Sequence, residues 1–100
     1  MVGNSEVTLL GVSQMARAQK TLGQILRGMS DANISFTEMA SLLARLGFQQ
    51  PVRGSHHIFS RSGVEEILNL QPRGAKCKPY QVKQVRSVII KYKLAEAEDV

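Results

Sequence analysis

Apolar residues recur along this chain in two rhythms, one helical and one extended. Leu22, Ile25, Leu26 and Met29 fall at i, i+3, i+4 and i+7, the spacing that puts side chains on one face of a helix. Ser13 is a candidate cap at the start of that helix, and Gly28 is placed to end it. Residues 1–12 carry no sustained period and are punctuated by Gly3 and Gly11, so a loose tail is expected there. After a turn at 30–34, Ser35-Phe36-Thr37-Glu38 has the form of a capping box, and Met39, Leu42, Leu43 and Leu46 repeat the helical spacing up to a stop at Gly47.

The rhythm then changes. Short extended segments are predicted at 48–52, 56–60 and 65–71, separated by the turn signals Arg53-Gly54-Ser55 and Arg61-Ser62-Gly63. Connections this short permit only an antiparallel meander, and Pro51, lacking an amide hydrogen, belongs at an edge. The stretch 71–76 reads as a loop leading to Pro79, which suits the first turn of a closing helix. Val82, Val85, Ile89 and Tyr92 form the apolar stripe of that helix, with Lys83, Arg86 and Lys93 off it, and an acidic, frayed tail is expected at 96–100. The pattern predicts an α+β domain.

Length and charge narrow the class. One hundred residues with 43% apolar content suffice for one core. The formal charge is +5, and Arg73, Lys76, Lys78, Lys83, Arg86, Lys91 and Lys93 follow one another with no acidic residue between Ile67 and Ala95. Such a bias suits an anionic partner, nucleic acid first, although moderate net charge also serves solubility alone. Cys77 is the only cysteine, which excludes an internal disulfide and any cysteine-based zinc motif. With neither a signal-like start nor an apolar run of membrane-spanning length, a soluble cytoplasmic protein is expected.

The candidate chemistry sits in Arg53-Gly54-Ser55-His56-His57-Ile58-Phe59-Ser60-Arg61. Imidazole titrates near working pH, so a histidine beside phosphate-binding cations can act as general base or acid. Neighbours on a strand point to opposite faces, so His56 and His57 cannot both face the same way. The plainer account is that both are ordinary strand residues with local hydrogen bonds. They diverge and have no further histidine or cysteine pair, so no metal site is expected. Cys77 paired with a histidine is formally a nucleophile. Gly54 and Ser55 could present amides and a hydroxyl to a phosphate, or simply join two strands. Tyr80 and Phe59 could stack on bases, or pack.

Taken together, the helix ending LLARLGF, the Gly54-Ser55-His56-His57-Ile58-Phe59 hairpin, the strand ILNLQP, the basic loop and the closing helix resemble the HicA family of toxins over residues 35–94. The resemblance implies a fold like a double-stranded-RNA-binding domain, α-β-β-β-α, with helices on one face of a three-stranded antiparallel sheet. Here it would occupy 31–95, behind an N-terminal extension (1–30) carrying an additional helix. It implies a ribosome-independent endoribonuclease that cuts mRNA and is silenced by a HicB-like antitoxin. The reaction is expected here to need no metal or other cofactor, and the free protein to be a monomer. The active histidine carries over to His57, the last position of Gly-Ser-x-His, ahead of His56. Arg53, Gly54, Ser55, Arg61, Arg73, Lys76, Lys78 and Lys83 are the expected RNA-binding residues. Many members have a further histidine after the third strand. This chain keeps Pro72 there and has Arg73, Lys76 and Lys78 to supply charge instead. A non-catalytic RNA-binding module of the same fold, or a degenerate toxin serving only as a partner scaffold, are the rival readings.

Overall fold

The computed structural model describes residues 16–50, 52–53 and 56–98. In chain order these form α1 (helical over 16–27), a 3₁₀ turn (Asp31–Asn33), α2 (Phe36–Arg45), β1 (Val52–Arg53), β2 (His56–Arg61), β3 (Val64–Leu70), β4 (Pro72–Arg73), β5 (Lys76–Cys77), α3 (Pro79–Lys91) and α4 (Leu94–Glu98). The class is α+β. The expected tail at 1–12, the Ser13 cap, Pro51, Gly54, Ser55 and residues 99–100 lie outside the described residues.

Helix α2 forms where its sequence demands. Ser35 caps it, accepting from the Glu38 amide at 3.3 Å, while the Glu38 carboxylate accepts from the Thr21 hydroxyl at 3.4 Å. At the other end Gly47 adopts φ +94 and its amide bonds to Ala44, while the Phe48 amide bonds to Leu43. That is a Schellman ending, closed by the buried pair Leu43 and Phe48.

Helix α1 is rotated from the face its apolar spacing predicts. Ala18, Thr21, Leu22 and Ile25 point inward, whereas Leu26 is 38% exposed and Met29 85%. The core face therefore begins one turn earlier and admits a threonine, whose hydroxyl is satisfied by Glu38. Gly28, at φ +69, ends the helix before Met29. Arg86 of α3 then binds the Asp31 carboxylate through both terminal nitrogens, at 3.0 and 3.3 Å, and donates to the Ile25 carbonyl at 3.1 Å. A side chain at Gly28 would press on this guanidinium. The predicted solvent-facing role of Arg86 is thus replaced by a tie between α1 and α3. Ala18, Leu22 and Ile25 share one buried cluster with Leu42, Phe59, Leu68, Val85 and Leu94, so α1 is continuous with the core of the domain.

Strands β2 and β3 pair antiparallel, His57 with Leu70, Ile58 with Asn69, Phe59 with Leu68 and, past an irregularity, Arg61 with Val64. On the other side of β2, β1 pairs Val52 with His57 and Arg53 with His56, and Gln49 continues the register as a single bridge to Ser60. Within the segment predicted at 48–52, Phe48 is buried in the core and closes α2, Gln49 forms only the single bridge, and Val52 begins β1. The loop predicted at 71–76 is a hairpin instead. Gly74, at φ +62 in the first central position, supplies the conformation that a primed two-residue turn requires. This hairpin grips the entry to α2, with Cys77 donating to Ile34 and Phe36 donating to Ala75.

The backbone of the outer strand β3 is met by side chains from α3. The Gln81 amide donates to Asn69 O and accepts from Gln71 N–H, as a neighbouring strand would. Tyr92 accepts from the Glu65 amide at 3.2 Å and donates to Glu66 at 2.6 Å, so it is half-buried with its hydroxyl used. The acidic end is not frayed through the described residues: Leu94 is buried and Leu94–Glu98 is helical.

The Tyr92 hydrogen bond, followed by that of Lys91, holds the Glu66 carboxyl below its ordinary value of 4.5, and Glu66 in turn raises Lys91 above 10.5. With a depressed folded pKa, the Glu66 contribution is present above the unfolded pKa and is lost as pH falls through the folded one. That of Lys91 is present below its unfolded pKa and is lost as pH rises through the folded one. Carboxyl NMR titration should give Glu66 a pKa below 4.5, and Tyr92→Phe should move it upward. An unmoved titration in Tyr92→Phe would show that the phenol is not the main cause.

Candidate functional site

Phe59 is fully buried, and a strand alternates its faces, so its position dictates those of its neighbours. His57 shares the inner face and His56 turns to the outer, exposed one. The His57 ring meets Phe36 edge-on, with centroids 4.8 Å apart and planes at 67°. Its Nδ1 lies 2.9 Å from Gln50 Nε2. The ring is half-buried, and among the described residues no hydrogen bond reaches Nε2.

Opposite His57 stands Leu70, where β3 ends and the basic hairpin begins. There Lys78 donates to Gln71 Oε1 at 3.2 Å, and the buried Gln81 fixes the Gln71 backbone at 3.1 Å. Phe36 connects the two features, touching His57 with its ring and Ala75 of the hairpin with its amide. Arg73 and Lys76 are exposed on the hairpin and Lys83 is exposed on α3. The structure thus brings His57, Gln71, Lys78 and the β4–β5 hairpin to one end of the sheet. Arg53 is at the same end by its backbone pairing with His56; its side chain, Gly54 and Ser55 lie outside the described residues.

Arg61 is not part of this group. It lies at the far end of β2, about 13 Å from His57 at roughly 3.3 Å per residue, with its side chain over Gly47. Of the two aromatics, Tyr80 is 64% exposed beside Lys78, whereas Phe59 belongs wholly to the core and offers no stacking surface.

The pattern of apolar residues did not single out Gln50 or Gln81. Both occupy inward positions that apolar periodicity passes over. Register finds Gln50, since the pairing of Val52 with His57 and of Gln49 with Ser60 sets residue 50 across from Phe59, within diagonal reach of residue 57. Gln81 precedes Val82 and stands one turn before Val85, on the buried side of α3.

Cys77 cannot serve as the nucleophile. It is 3% exposed, its thiol donates weakly to the Ser35 carbonyl at 3.8 Å, and burial pushes its pKa up to about 11. Among the described residues no group of three or more His, Cys, Asp or Glu is arranged to hold a metal ion, and no helix is long and apolar enough to cross a membrane.

No protein-family model, curated protein or solved structure matches this chain.

The state of Cys77 is directly testable. At pH 8 a disulfide reagent should label the native thiol about a hundredfold more slowly than the unfolded chain, since the thiolate fraction falls roughly tenfold per pKa unit. Equal rates in the two states would show that the thiol is accessible and reactive.

Proposed function

We propose that this protein is a HicA-like toxin, a metal-independent endoribonuclease with a fold of the double-stranded-RNA-binding-domain type, which cuts mRNA in the cytoplasm. The observation that carries the reading is the placing of a hydrogen-bonded, half-buried imidazole at the sheet end where a basic hairpin begins.

In this reading His57 takes the proton of a ribose 2′-hydroxyl, and O2′ attacks the adjacent phosphorus. The bond to O5′ breaks, and O5′ receives a proton from the imidazolium or from water. The products are a 2′,3′-cyclic phosphate and a 5′-hydroxyl. Lys78, and Arg53 by its backbone position, belong to the His57 end of the sheet and offset the growing charge on the reacting phosphate. Arg61 serves a phosphate further along the strand, since it stands at the other end of β2. Arg73, Lys76 and Lys83 supply the salt-dependent hold on the backbone. A partner that covers the same end, such as an acidic HicB-like antitoxin, would inhibit by hiding His57 and the hairpin together.

Purified protein incubated with a long mRNA in EDTA should yield fragments with 5′-hydroxyl ends. His57→Ala should lose about a hundredfold or more of the rate, the ordinary worth of a general base. His56→Ala, on the outer face, should lose far less. Arg73→Glu with Lys76→Glu should weaken RNA binding and flatten its salt dependence. RNA that is bound yet left intact by the wild type would overturn the nuclease and leave an RNA-binding module.

A further inference from the structure

A base must have a lone pair on the nitrogen that faces its substrate, and the partner of the other nitrogen decides whether it does. His57 Nδ1 is held by Gln50, and Nε2 has no hydrogen-bond partner among the described residues. As placed, the amide NH₂ of Gln50 faces Nδ1. In the neutral ring Nδ1 then accepts, Nε2 carries the proton, and no lone pair remains to take another. A half-turn of the same amide presents Oε1 at the same place. Nδ1–H then donates, Nε2 is unprotonated, and the imidazolium formed after proton transfer keeps both N–H groups bonded or available as acids.

We propose that Gln50 is the positioning residue of His57, and that the orientation of its amide sets which ring nitrogen carries the proton. The inference rests on the nuclease reading for its consequence in catalysis, though the protonation pattern stands by itself. The edge contact from Phe36 holds the plane of the ring, and the contact at Nδ1 selects its flip, so the Gln50 amide is the group that can present either a donor or an acceptor there. Gln50 is itself half-buried and follows the Gln49 bridge to Ser60, which anchors its backbone beside β2.

The test compares wild type with Gln50→Glu, Gln50→Met and Gln50→Lys. Long-range ¹H–¹⁵N spectra of the neutral imidazole, read without RNA, should show Nε2 protonated in the wild type and Nδ1 protonated in Gln50→Glu, whose carboxylate only accepts. Single-turnover cleavage should fall about tenfold in Gln50→Met and about a hundredfold in Gln50→Lys, whose ammonium only donates, with Gln50→Glu at least tenfold faster than Gln50→Met. A residue that merely supports the fold would move all three alike. The same tautomer in the wild type, Gln50→Glu and Gln50→Met would overturn the inference, whatever the cleavage rates. The expected tautomers with no cleavage by any protein would leave the positioning intact and remove the nuclease reading.

Discussion

The burial of Phe59 is the constraint on which the site depends. A side chain of that size at the centre of a two-sided strand has one place to go, between the sheet and the helices, where it joins Leu42, Leu43, Leu68 and Val85. Once it is there, the two-residue alternation leaves no choice for its neighbours. His57 must face inward, against Phe36 and Gln50, and His56 must face out. A slip of one residue would exchange the histidines and expose Phe59, at a cost of about 1.5–3 kcal/mol for the aromatic alone. Packing energy therefore specifies which imidazole is held and which is merely displayed.

Charge is divided along similar lines. The run of cations from Arg73 to Lys93 looks uniform in the sequence, but its members do different work. Arg86 is spent on Asp31 and the Ile25 carbonyl, and Lys91 on Glu66. Arg73, Lys76 and Lys83 remain exposed, and among the described residues Lys78 is bound only to a neutral amide. The basic surface at the His57 end is smaller than the net charge suggests, and it comes from the hairpin and the start of α3 rather than from the whole helix.

Much of this was legible beforehand. The Ser35 cap, the Gly47 ending, the antiparallel pairing and the start of α3 at Pro79 each follow from a local signal that tertiary contacts did not oppose. The features that escaped are those in which a polar residue occupies an inward position or a short turn makes a strand. Thr21 displaced the apolar stripe of α1 because Glu38 was there to satisfy it. Gln50 and Gln81 were passed over because periodicity counts only apolar residues. Residues 71–76 read as a loop because two-residue strands carry no alternation, and only pairing with Ile34 and Phe36 makes them visible. In the candidate site, sequence singled out the histidines and the cations but not the amide that orients the ring.

The central claim is that His57 acts on a ribose 2′-hydroxyl, and it can be tested on the substrate alone. Once a cleavage position is mapped, a short RNA carrying one 2′-deoxynucleotide on the 5′ side of that bond should bind unchanged and resist cutting there, while other positions are cut as before. Undiminished cleavage at the substituted position would contradict the account, because the attacking oxygen would have to come from elsewhere.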